Sequence, residues 1–415
     1  MKPLLKSPFT SIVVFLLVSV SFCPSYVPTA LSEEKSEKDE LKLIERLMDT
    51  LEHEKAKAEW ERVAPKLQHT KPRRVFVDQL ADIYRRSIKS SLKSKKYREA
   101  IQEWERASFS HLEIKHSLLT YGGLLWDIPR AYIKIGQSSK GIELFTSTRY
   151  IAPDSVEARA MTGEKLILGE VISHKSSENK GLVGRAQCTL CHTVSKGKWR
   201  QECGHHLCGP ELKGISVRTK ALLKTHEYLD RLTKGAQAEA FPGSGVPNTV
   251  IEYLAESNVC PSCYVVPGYI NWPDEHGKES RMPPINRAVI RLSRDEMIAV
   301  DTWILVQDGE EVPPLSVMRS AYGKFLPKED DPGSESNFFL ASLYDVAGNH
   351  AAALRLVEET YPITWRRKPR ESVLWYSMDQ WCNDPEMFAH MKSQPDLVAR
   401  FPVLLKPNQN NKPAP

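Results

Sequence analysis

Apolar residues recur along this chain at helical intervals in several separate stretches. In KKYREAIQEWERA, Tyr97, Ala100, Trp104 and Ala107 fall at offsets 0, 3, 7 and 10, the repeat of one face of an α-helix. The spacing returns with Gly136, Gly141, Phe145, Thr148 and Pro153. It returns again with Ala341, Tyr344, Gly348, Ala353, Val357 and Thr360. Further along, Ser293 stands three residues before Glu296, a capping box that opens a helix. Met297, Val300, Ile304 and Leu305 then share one face, with Trp303 on its border. The pattern predicts an all-α protein.

One apolar run has a different meaning. A basic start with Lys2 and Lys6 leads into apolar sequence from Ser11 to Phe22, then into small residues and a charged segment. That layout predicts an export signal over residues 1–32, with cleavage after Ser32. The run is shorter than the roughly 20 residues that span a bilayer, so no transmembrane segment is expected after cleavage. Bulky Phe22 ahead of Cys23 argues against a lipid-modified cysteine. Periplasmic or otherwise exported localisation follows. The chain has 415 residues and a formal charge of +5, long enough for two or three domains. The charge is too small to imply nucleic acid as a partner.

Midway along, GRAQCTLCHTVSKG holds Cys188 and Cys191, with His192 directly after the second thiol. In an exported chain this spacing reads as a c-type haem attachment site. The two thiols match the haem vinyl groups, and the adjacent imidazole is carried to the iron. Downstream lie Gly209, Pro210 and Leu212, then Tyr264 to Tyr269, Met282 with Pro283, and Leu292 to Leu305. In that order, over near a third of the chain, these segments resemble a class I c-type cytochrome domain. The resemblance implies a helical fold with one covalent haem c attached at Cys188 and Cys191. It makes His192 the proximal ligand and Met282 the distal one, with the Pro210 carbonyl accepting the Nδ1 proton of His192. Met282 has support of its own, because Arg281, Pro283 and Pro284 place it poorly for a helical or strand core. The resemblance also makes the 293–305 helix cross the helix leading into the haem motif, placed here within 156–174. The polar stretch SHKSSENKG between that helix and Cys188 departs from the family pattern.

Four further cysteines, Cys203, Cys208, Cys260 and Cys263, accompany this region. Tyr264 follows Cys263 where a second haem motif would need histidine. Two readings stand: structural disulfides, which export allows, or a zinc site with His205 or His206. Cys382 is left over as a buried, unpaired thiol. The flanking helical patterns resemble tetratricopeptide hairpins, in which small residues let helices approach. Two copies before the haem region and one after it suggest a single helical scaffold with the cytochrome inserted. The run from Tyr84 to Arg98 has seven basic residues and no acid; it reads as a solvated face, or as a docking patch for an acidic partner. Residues 310–336 read as irregular linker.

The expected organisation is a signal peptide (1–32), a helical tetratricopeptide-like part (39–175), a cytochrome c domain (180–312), a second such helical part (333–400) and a disordered tail (401–415). The function expected from it is electron transfer between a redox donor and acceptor, docked through the helical parts in a multisubunit respiratory complex. No triad, carboxylate pair or phosphate loop stands out, so whether the chain is also an enzyme stays open. The rivals are a haem enzyme with an open distal site, and a helical adaptor with a haem-sensing role.

Overall fold

The computed structural model describes residues 37–50, 52–64, 74–110, 112–120, 124–169, 172–176, 179–183, 188, 192, 209–225, 228, 245–265, 280, 282–287, 290–362 and 384–405. Among the described residues the protein is all-α apart from one short β-hairpin. The proposed signal peptide lies outside the described residues. So do Cys191, Cys203, Cys208, His205, His206, Arg281 and Cys382.

The chain opens with α1 (Glu37–Asp49), α2 (His53–Val63), α3 (Arg74–Lys93), α4 (Tyr97–Ser110), α5 (Leu112–Thr120) and α6 (Leu124–Lys134). These share one core around Ile44, Trp60, Tyr84, Trp104 and Ile128. Ala100, Trp104 and Ala107 are buried as their spacing predicts. Of the basic run across α3 and α4, Arg86, Lys89, Lys93, Lys95, Lys96 and Arg98 are exposed.

Next come α7 (Ser138–Thr146) and α8 (Val156–Leu168). Gly141 allows α7 to lie tightly against α6, since a Cβ there would stand 2.4 Å from the Pro129 carbonyl oxygen. Gly136 has another job. It has φ +81° with open space where a side chain would be, and it ends α6 in the left-handed conformation that glycine adopts without strain. Gly348 does the same at φ +83°. These two glycines make turns; they are not the contact positions their spacing implied.

Gly169, at φ +74°, stops α8. An antiparallel hairpin follows, β1 (Ile172–Ser176) with β2 (Asn179–Val183), pairing Ile172 with Val183 and Ser176 with Asn179. Here the expected helical span of 39–175 is corrected. The Ser, His, Asn and Gly of this stretch are poor helix formers, and residues 172–176 and 179–183 of the polar gap pair as a two-stranded ribbon.

The central part comprises α9 (Ile215–Leu222), α10 (Val250–Val259), α11 (Arg294–Gln307) and α12 (Leu315–Phe325). With α8 they enclose a core from Tyr150 to Leu326, so this unit extends beyond 180–312 at both ends. The capping box opens α11: Ser293 Oγ accepts from Glu296 N, and Glu296 Oε2 accepts from Ser293 N at 2.7 Å. Helix α8 crosses α11 at Gly163, where a Cβ would lie 2.0 Å from Ala299 O and 2.9 Å from Trp303 Cβ. All residues from Met297 to Leu305 are buried, because α8 covers one side of α11 and α10 and α12 approach from others.

Helix α12 falls within the stretch expected to be linker. Its Leu315, Met318, Ala321, Tyr322 and Phe325 are buried, an amphipathic face hidden in the sequence by prolines on either side. Asp331 then caps α13 (Pro332–Val346), its Oδ1 accepting from Gly333 N at 2.8 Å and from Arg294 N at 3.1 Å. Through that one carboxylate the starts of α11 and α13 are tied together. Burial raises the Asp331 pKa above the ordinary carboxylate range, with nearby Arg294 opposing the rise.

Helix α14 (His350–Thr360) and the short α15 (Ala389–Lys392), α16 (Pro395–Arg400) and α17 (Pro402–Leu405) complete the described chain. They share a core with the first part of the protein. Trp126, Phe145 and Phe339 form an aromatic cluster, with Phe339 4.3 Å from Trp126 and 4.9 Å from Phe145 between ring centroids. Arg130 pairs with Asp384 at 2.7 Å, and Lys134 with Glu386 at 2.9 Å. The helices before and after the central unit thus pack on each other. Phe401, Leu404 and Leu405 are buried in this core, which corrects the expected disorder of 401–405; residues 406–415 lie outside the described chain.

Candidate functional site

The His192 N–H donates to the Cys188 carbonyl at 2.9 Å. The imidazole is held from its other side. Its Nδ1 lies 2.7 Å from the Pro210 carbonyl oxygen. A carbonyl only accepts, so Nδ1 carries the proton and Nε2 presents a bare lone pair. Burial lowers the His192 pKa, with the Pro210 carbonyl opposing the shift; the net effect favours the neutral ring.

Glycine at 209 is a steric requirement. A Cβ there would stand 2.3–2.8 Å from three atoms of the His192 ring, so the imidazole rests against bare backbone. The segment after Pro210 is fixed from α11. Asp308, at the end of that helix, accepts from the Gly214 and Ser216 amides, the latter at 2.8 Å. Leu212 is buried in the central core. Asp308 escaped the sequence reading because an acid at a helix C-terminus carries no local signal of a distant loop.

Met282 is half-buried and packs against the same core as Cys188, Cys260, Cys263 and Tyr264. Its loop docks on α10, the Ile285 N–H donating to the Asn258 carbonyl at 2.9 Å, and Leu292 N–H closing back on Ile285 O at 2.8 Å. Cys188 and Met282 thus pack against one core, and His192 rests on the Gly209–Pro210 segment that enters that core at Leu212. Tyr264 makes an edge contact with Tyr228, ring centroids 5.0 Å apart.

Cys260 and Cys263 are joined as a disulfide. That bond takes two of the four thiolates from the zinc reading, and its other ligands lie outside the described residues. Among the described residues no group of three or more His, Cys, Asp and Glu side chains could hold a metal ion.

Beneath Met282's loop, three helices meet at a buried polar triad. Asn258 Nδ2 donates to Asp301 Oδ1 at 3.0 Å and to Tyr322 Oη at 2.8 Å, and Tyr322 Oη donates to Asp301 Oδ2 at 2.7 Å. Burial pushes the Asp301 carboxyl up to about 7, against the two hydrogen bonds. Spacing alone gives Asp301 no role, since its partners Asn258 and Tyr322 stand on other helices.

No family model, curated protein or solved structure matches the chain.

Proposed function

We propose that the chain is an exported c-type cytochrome that passes electrons between redox partners. The observation that carries this reading is the seating of His192: Nδ1 is committed to the Pro210 carbonyl at 2.7 Å and the ring lies on Gly209. That arrangement fixes tautomer and orientation and reserves Nε2 for a metal, as outer partners do for ligating histidines.

The bare Nε2 left by the His192 seat suits a covalently held haem. Were haem attached, Cys188 and Cys191 would supply the thiols for two thioether bonds, His192 the proximal nitrogen and Met282 the distal sulfur. When bound, the haem supplies reversible one-electron chemistry. The protein's part is to hold ligands of fixed identity in a packed core, which limits reorganisation as charge comes and goes. A thioether paired with an imidazole as iron ligands would raise the potential relative to two nitrogens. The outer helical parts, which resemble tetratricopeptide hairpins, serve as the docking body for a donor and an acceptor within a larger complex.

An optical spectrum of the purified protein with a redox titration tests this. The weak long-wavelength band of an iron–methionine bond should appear in the oxidised form and vanish in Met282→Ala. A spectrum lacking haem bands, or a methionine band that survives the substitution, contradicts the reading.

A further inference from the structure

The disulfide and Met282 are connected by a short relay of backbone amides and serine hydroxyls. Helix α10 runs into the bonded turn, with Cys260 N–H donating to Glu256 O at 2.7 Å and Cys263 N–H to Cys260 O at 2.9 Å. Ser262 sits inside that turn. Its Oγ accepts from Ser280 N at 2.9 Å, and Ser280 Oγ in turn accepts from Met282 N at 3.2 Å. Each hydroxyl therefore holds the amide of the next residue in the series, and the series ends on Met282.

We propose that the Cys260–Cys263 disulfide positions Met282 through Ser262 and Ser280, so that reducing it with a dithiol loosens the Met282 loop. Ser262 and Ser280 are positioning residues. The bonded loop encloses only two residues, so its chain-entropy effect on global stability is small and its consequence is local orientation. Both cysteines are half-buried, not sealed in the core. In the exchange, a thiolate of the dithiol attacks one sulfur and the Cys260–Cys263 bond breaks. The reductant's second thiol then closes its own disulfide, leaving two protein thiols. Two hydrogens pass from reductant to protein. With the bond gone, the turn opens and Ser262 no longer fixes Ser280. The effect on a metal rests on the function proposed above; the backbone relay does not.

Hydrogen–deuterium exchange of the full chain, with and without dithiothreitol, tests the relay. Amides of 280–287 should exchange several-fold faster after reduction, while those of α8 and α11 stay unchanged. Ser262→Ala should produce the same acceleration with the disulfide intact, which separates the relay from other effects of the reductant. Cys260→Ser with Cys263→Ser should resemble the reduced protein and no longer respond. If that double variant does not fold, the wild-type and Ser262→Ala arms still decide. Unchanged exchange over 280–287 on reduction overturns the proposal. The haem-loaded protein separates this from the wider reading: accelerated exchange without any iron–methionine band upholds the relay and contradicts the cytochrome. A normal band with unchanged exchange does the reverse.

Discussion

Asp301 is completely buried at the meeting of α10, α11 and α12, and burial makes its proton part of the fold. In the folded chain the carboxyl titrates at about 7; unfolded, it returns to about 4. Between those values the native state holds the extra proton, so stability is greatest below about pH 4 from this group and is lost as pH rises through about 7. The full difference is on the order of 4 kcal/mol. Urea midpoints at pH 5 and pH 8 should therefore fall more steeply for wild type than for Asp301→Asn; parallel slopes would remove the argument. A second residue-scale expectation concerns the histidine seat. Gly209→Ala places a methyl in the His192 ring, so if His192 holds iron as proposed it should weaken the iron–histidine spectrum while leaving far-ultraviolet helix content near wild type. The Cys188-x-x-Cys191-His192 spacing could be read locally, as the pattern that c-type haem attachment uses. The roles of Asp308 and Asp301 could not, because each depends on a partner brought near only by folding.

At the scale of elements, the crossing of α8 and α11 shows how a close approach can reverse an ordinary rule. In an exposed helix, Gly→Ala gains roughly 1 kcal/mol from helix propensity. At Gly163 the new Cβ would meet the Ala299 carbonyl at 2.0 Å, and backbone cannot swing aside as a side chain can. Overpacking costs about 1–3 kcal/mol or more, so Gly163→Ala should lower the denaturation midpoint, and a raised midpoint would contradict this packing. The capping box and buried face of α11 could be read from Ser293, Glu296 and the 3.6-residue repeat. Helix α12 could not, because Pro313, Pro314 and Pro327 give its neighbourhood the composition of a linker. Yet Pro314 precedes the first turn and Pro327 follows the last, where proline punctuates a helix without breaking it. The turn glycines taught the opposite lesson. Gly136 and Gly348 fit a repeat of small contact residues, but their positive φ puts them at helix ends, and of these three repeat glycines Gly141 alone makes a close approach.

For the whole molecule, the described helices on both sides of the central unit close on each other through Trp126, Phe145 and Phe339. Phe339 is fully buried, and truncating a buried Phe costs about 3–5 kcal/mol. Phe339→Ala should therefore make the segments after 332 and before 146 more open to proteolysis together; cleavage confined to one of them would argue against a shared core. This long-range closure was visible in the sequence only as repeated spacing before and after the haem motif, since no local pattern states which hairpins meet. The claim on which the proposed function depends is covalent attachment at Cys188 and Cys191, and the intact mass of the denatured protein tests it most directly. Produced by export in a host that attaches c-type haem, the chain should carry the mass of one haem, retained after denaturation and lost or weakened in Cys191→Ser. A denatured chain whose mass is that of the polypeptide alone would contradict the account.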